Sequence, residues 1–283
     1  MSQDLAPDNK PPVTVIAPRR RWQLLDARDL WRHRELLWIL AMRALKMRYK
    51  QTVVGALWAV IQPVAMMVVF TAVMRGTGAN PIVPGVPYPI SLYVAMLPWQ
   101  LFASSLRASS DSLVTNQRLI TKVYFPRVIV PIAPIVTSLV DFLIAALVLV
   151  AMMVWYGIVP TWTTVLAPLM IALAVMTSVA AGLWLSALNA LYRDVRYALP
   201  FLIQIGMFVS PVIYDTTKIP DHLHLLYSLN PMVGVIEGMR WAVLGYEQPP
   251  LVSLAMSAVM VTVLLIGGLA YFRRMESTIV DRV

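Results

Sequence analysis

The side chains that could do chemistry in this sequence are few, and their spacing excludes more than it allows. Three histidines, His33, His222 and His224, give no metal set, because residues two apart do not share a helix face. The chain has no cysteine, so disulfides and thiolate metal sites are excluded. A loop that cradles phosphates needs Gly-Lys-Ser/Thr, whereas the five lysines follow Asn9, Leu45, Tyr49, Thr121 and Thr217. No ATP site, metal or other cofactor is therefore expected in this chain, and no Ser/His/Asp set can be argued. Asp141 is the one carboxylate well inside a long apolar segment. An ionisable group so placed is a functional candidate by default, for instance in a proton relay. The simpler reading bonds it to Thr137 or Ser138 one turn back, or has it line a wet cavity. A proton-coupled carrier would need a chain of such groups. Asp215, Asp221 and Glu237 form a second cluster, the one that could serve an integral-membrane glycosyltransferase or ligase.

The elements that would hold these groups are read from the apolar runs. With 59% hydrophobic and 13% charged residues over 283 positions and a mean hydropathy of +0.71, the chain does not make a soluble domain. Runs of about 18 or more apolar residues are long enough to cross a bilayer as helices. The alternating pattern of a membrane barrel is absent. The fold class is therefore all-α integral membrane, with six crossings expected at residues 52–74, 90–106, 128–156, 165–190, 197–214 and 251–272. Residues 1–25 read as a polar, Pro-rich mobile tail without the apolar core of a signal peptide. Residues 26–50 read as an amphipathic helix lying in the interface plane, 51–272 as the membrane domain and 273–283 as a second tail. In the 26–50 helix Arg28, Arg32, Glu35, Arg43, Lys46 and Lys50 form one stripe, with Leu30, Leu37, Ala41, Ala44 and Leu45 opposite and Trp31 and Trp38 at headgroup depth.

The net charge of +9 would suit a nucleic-acid partner, but its distribution argues for membrane lipids instead. Eleven of the 23 lysines and arginines precede residue 52, a block that reads as a cytosolic flank drawn to anionic lipid. Six crossings put both ends of the chain on one side. The segments on that side hold 20 of the 23 basic residues and leave only Arg75, Lys218 and Arg240 opposite, so both termini are expected in the cytosol. No internal repeat marks the halves of a secondary transporter.

Two stretches stand apart from this scheme. Residues 116–131, NQRLITKVYFPRVIVP, are a basic amphipathic island between two crossings, with Arg118, Lys122 and Arg127 among Leu119, Ile120, Val123, Tyr124 and Phe125. A solvated cytosolic loop would explain the charges. The apolar side also suits a short helix, within about 112–125, that docks on a cytosolic motor and receives its force. The second stretch, about 215–247, follows Ser210-Pro211-Val212-Ile213-Tyr214 and contains Asn230-Pro231, with Glu237 and Arg240 spaced to pair at i,i+3. Too apolar for a free loop and too broken for a crossing, it reads as a helical hairpin dipping into the outer leaflet, with an external loop bearing a surface helix as the plainer alternative. Trp99, Trp155, Tyr156 and Trp162 fall at the ends of crossings as an interface belt. Trp58, Tyr93, Phe102, Trp184, Phe201 and Phe208 lie deeper, where aromatic faces could stack on sugar rings or simply pack between helices.

Over residues 29–274 the chain resembles the permeases of type-2 ABC exporters that move lipid-linked O-antigen, capsule or teichoic-acid polymers. The resemblance rests on Arg48-Tyr49-Lys50-Gln51 followed by Gly55, Trp58 and Pro63, on Leu97-Pro98-Trp99, on Asn116 through Pro131, and on Ser210-Pro211-Val212 through Asn230-Pro231 to Arg240. It implies a homodimer of six-crossing subunits in the bacterial inner membrane, above two ATP-binding cassette ATPase subunits that hold ATP and magnesium. The substrate implied is a polysaccharide on a polyprenyl diphosphate. Asn116, Arg118, Leu119, Lys122 and Tyr124 would then lie on the coupling helix, and Pro211, Asn230, Pro231, Glu237 and Arg240 on outer gating helices. Arg43, Lys46, Arg48 and Lys50 would receive the diphosphate, with Arg48 favoured because it departs from the basic stripe. Trp58, Tyr93, Phe102, Phe201, Phe208 and Tyr214 would line the sugar path.

Overall fold

The computed structural model describes residues 31–50, 55–76, 82–83, 85–123, 125–216, 219–245 and 248–282. The expected tail at 1–25, the first turn of the expected interface helix with Arg28, and Tyr124 and Lys218 lie outside the described residues. Among those described, the chain is all helix and turn: α1 (Arg34–Tyr49), α2 (Trp58–Gly76), α3 (Tyr88–Thr115), α4 (Gln117–Lys122), α5 (Ile129–Tyr156), α6 (Ala167–Leu191), α7 (Asp194–Val209), α8 (Asp221–Ser228), α9 (Pro231–Leu244) and α10 (Leu251–Arg282). Short 3-10 turns lead into α2 and α6. Four segments are long and apolar enough to cross a membrane, Gly55–Gly76, Ile129–Tyr156, Trp162–Leu191 and Leu251–Glu276, and the protein is a multi-pass membrane protein.

The other two expected crossings are helices of a different kind. α3 has 28 residues but a seam of serines, and 18 of its residues are buried against α2, α5, α6, α7 and α9. Its solvent is protein rather than lipid, so small hydroxyl side chains that let backbones approach serve better than bulky apolar ones. Ser109 Oγ donates to the Pro131 carbonyl at 2.7 Å and Ser110 Oγ to that of Leu185 at 3.4 Å. α7, at 16 residues, spans about 24 Å at ~1.5 Å per residue. That is short of the ~30 Å bilayer core. Its buried stripe is Leu199, Ile203 and Met207, four apart, while Phe201, Leu202, Ile205, Phe208 and Val209 stay exposed.

α1 lies against the start of α5. Leu40 and Ala41 pack on Ile129 and Ala133 at the start of α5, and two turns later Arg48 reaches Asp141, three turns further along α5. The two helices therefore advance side by side in the same direction. A clean basic face is missing. Trp38, Ile39 and Met47 share the exposed side with Arg43 and Lys46.

Close packing on the opposite side makes a direct prediction. A Cβ at Gly234 of α9 would sit 2.4 Å from the Ser253 backbone oxygen of α10, whereas one at Gly76 would meet nothing within 4 Å. Gly234→Ala must push two helices apart, which costs about 1–3 kcal/mol. It should lower the melting temperature of the purified protein by several degrees. Gly76→Ala serves as the control and should leave it unchanged.

Candidate functional site

The polar chemistry of the membrane part gathers where the C-terminal end of α1 meets α2, α3 and α5. Arg48 Nη2 lies 2.8 Å from Asp141 Oδ2, and the Tyr49 hydroxyl donates to Asp141 Oδ1. Asp141 thus finds its partners about 92 residues away along the chain, not in Thr137 or Ser138 one turn back. Burial, and secondarily the carboxylate it bonds, push the Tyr49 hydroxyl up to about 12, so it remains a proton donor at any ordinary pH. The Arg48 side chain is 45% exposed against 13% for that of Asp141. The pair sits on the wall of a cavity of about 220 Å³ that also reaches Trp58, Gln62 and Gln100. Of the expected diphosphate residues, Arg43, Lys46 and Lys50 are exposed outside this group, and only Arg48 is drawn into it. A hint was present in the sequence: a lone carboxylate inside a crossing calls for a cation, and Arg48 was the cation off the stripe.

A second site is the expected coupling segment. α3 ends at Thr115, and the Asn116 side-chain amide donates to the Ser112 carbonyl at 2.8 Å. The Asn116 carbonyl then accepts from Leu119 N and Ile120 N, starting α4. Val123 is extended, so the helix is confined to Gln117–Lys122 and does not fill the expected 112–125; residues 112–115 belong to α3. Ile120 is buried with Leu113, Phe125, Val128, Leu183 and Phe272, and Leu119 packs at the edge of the same cluster. Arg118 and Lys122 face outward, exposed. Arg127 Nη1 donates to the Glu276 carbonyl at 2.8 Å, which ties the end of α10 to this end of the bundle.

At the opposite end, the two Pro-containing motifs of the outer stretch are joined. Asn230 caps α9 by accepting from Met232 N at 3.1 Å, and its amide donates to Ser210 Oγ at 2.9 Å, beside the buried Pro211. Pro231 occupies the first helical turn. The expected Glu237–Arg240 pair does not form. Arg240, 5% exposed, donates instead to the carbonyls of Val212 at 2.8 Å, Tyr214 at 3.3 Å and Ser91 at 3.4 Å. Carbonyls left free where α7 breaks need such donors once they are buried, as Val212 is.

The aromatic residues divide. Tyr93 has no exposed surface and donates to the Ala145 carbonyl at 3.0 Å, so its ring holds α3 to α5 and lines no surface of the subunit. Trp184 stacks on Tyr271 with centroids 4.8 Å apart and donates to Leu264 O, a joint between α6 and α10. Trp99 is 5% exposed, packs on the half-buried Phe102 and underlies Gly206 of α7. It is a packing residue rather than part of a belt. Trp58, Phe201 and Phe208 are more than half exposed. The Tyr214 hydroxyl donates to the Phe208 carbonyl and lies 3.0 Å from that of Tyr227.

Buried polar groups between helices and four segments apolar enough to cross a membrane describe a helical membrane subunit. The chain belongs to the ABC-2 type transporter family, whose profile matches residues 35–244. It is 31% identical over 237 residues to the O-antigen export system permease protein RfbA of Myxococcus xanthus, covering 81% of this chain and 88% of that protein. It is 28% identical to a protein of the same name from Klebsiella pneumoniae, over 86% of this chain and 92% of the relative. It is 27% identical to the polysialic acid transport protein KpsM of Escherichia coli, over 84% and 92%.

Proposed function

We propose that this chain is the membrane-spanning permease subunit of an ATP-driven exporter that moves a polysaccharide, carried on a polyprenyl diphosphate, across the bacterial inner membrane. The observation that carries the reading is the family match over residues 35–244, joined by relatives of nearly the same length named for polysaccharide export. Two subunits assemble through the exposed apolar faces of α2 and α7, and Trp58, Phe201 and Phe208 then face a shared path. Aromatic faces give a sliding polymer many weak, similar contacts. With six crossings, α3 as the second and α7 continued by the residues after Val209 as the fifth, both termini and α4 lie on the cytosolic side that the basic residues favour. There Arg118 and Lys122 meet an ATPase subunit that supplies the ATP site and magnesium. The hairpin of α8 and α9 gates the outer mouth. Arg48 takes the diphosphate as it arrives.

The deciding experiment is reconstitution of the permease with the ATPase subunit that copurifies with it. Proteoliposomes should move polyprenyl-diphosphate glycan only with ATP. Transport driven by a proton gradient without ATP, and lost in Asp141→Asn, would replace this reading with that of a proton-coupled carrier. In intact cells a cysteine placed at Ser2 should resist an impermeant thiol reagent, as a cytosolic terminus requires.

A further inference from the structure

The cavity between α1, α2, α3 and α5 carries more than a phosphate site needs, and one of its groups argues against a phosphate. At about 220 Å³ it far exceeds the ~10–15 Å³ that one water requires. It is smaller than the ~300–1,000 Å³ of pockets for drug-sized molecules. A single small ring is the scale it fits. Its wall includes the Asp141 carboxylate, which would repel a phosphate placed beside it. Gln62 and Gln100 add amides that both donate and accept, and Trp58 adds an aromatic face. A carboxylate, amides and an aromatic face together recognise a neutral ring bearing hydroxyls.

Resting on the carrier-linked substrate of the proposed function, we propose that this cavity binds the sugar unit attached directly to the carrier's diphosphate. The permease then reads the junction of carrier and glycan, not the phosphates alone. Arg48 has five N–H donors, and the carboxylate of Asp141 engages one of its nitrogens. Its open edge is left to a diphosphate at the mouth while Asp141, Gln62 and Gln100 meet sugar hydroxyls inside. An unloaded carrier, lacking the ring, leaves the cavity empty and loses those bonds.

The test uses the permease with its ATPase subunits in nanodiscs, and short-chain polyprenyl diphosphates with and without one hexose (glucose, galactose and N-acetylglucosamine in parallel). The wild type should bind at least one sugar-bearing carrier about tenfold or more tightly than the bare one, because a site built to bond hydroxyls discriminates strongly against a ligand without them. Asp141→Asn should remove most of that preference, read as the ratio of the two affinities within the variant. Gln100→Ala removes an amide from the cavity wall without touching the Arg48–Asp141 pair. It should lower the preference by about three- to tenfold. Equal binding of bare and sugar-bearing carriers by the wild type would overturn the proposal and leave the carrier reading standing. A preference untouched by both Asp141→Asn and Gln100→Ala would equally overturn it. Binding of neither probe would overturn the carrier reading and this proposal together.

Discussion

Arg240→Ala should disorder the outer hairpin and abolish export, the largest single-residue effect expected in this protein. The guanidinium is the donor for three backbone carbonyls from two separate regions, Val212 and Tyr214 after the break in α7 and Ser91 in the first turn of α3. The Ser91 carbonyl keeps its place in the helix ladder of α3, but each of the two orphaned at the break costs about 1–3 kcal/mol when buried, together a large share of the ~5–15 kcal/mol net stability of a typical protein. Loss of the cation also leaves a hole among the buried residues of α9. Arg240→Lys is the informative companion, since an ammonium is a compact point donor that cannot fork across all three carbonyls. It should fall between wild type and alanine in both melting temperature and resistance to proteolysis at residues 210–230. Glu237→Gln should change little, because Arg240 spends its donors on carbonyls. If Arg240→Ala melts with the wild type, the staple is not what holds the hairpin.

Legibility of this fold followed the distance over which each constraint acts. Apolar run length is a local property, and α2, α5, α6 and α10 come out where the sequence places them. The break at Asn116 and the cap at Asn230-Pro231 are local too, written in residues that end or start helices. α3 was legible as a helix, but its serine seam made sense only once α5 and α6 were found around it. The partner of α1 was not legible. A stripe of cations predicts a polar face with Ala41 on the opposite side, but that this side settles against Ile129 and Ala133 depends on a surface far along the chain. The site divides in the same way. Arg48 and Asp141 were each singled out, one as a cation off its stripe and one as a lone carboxylate in a crossing, while the bond between them spans the fold. Among the aromatics, composition could not separate Tyr93 and Trp184, which hydrogen-bond neighbouring helices, from Phe201 and Phe208, which face outward.

Reversing both exposed charges of α4, Arg118→Glu with Lys122→Glu, should uncouple the transporter while leaving the permease folded. The two parts of this segment have separate tasks. Ile120 and Leu119 fasten it to Leu113, Phe125 and Phe272, so a push on α4 is delivered to α3, α5 and α10 without slack. Arg118 and Lys122 make none of these contacts and stand exposed. As mere solvated loop charges, each would be worth under about 1 kcal/mol, and reversing both would pass unnoticed. As the face that meets an acidic patch on the ATPase, they set docking, and like charges facing one another cost several kcal/mol. Glycan-stimulated ATP hydrolysis should then fall about tenfold or more. The amount of permease in the membrane, its melting temperature and the basal ATPase rate of the isolated motor should hold. Ile120→Asp separates anchoring from docking. A carboxylate forced into that cluster should release α4 from the bundle and lower the melting temperature as well as the coupling. Full stimulated hydrolysis in the double charge reversal would return residues 116–123 to an ordinary cytosolic loop.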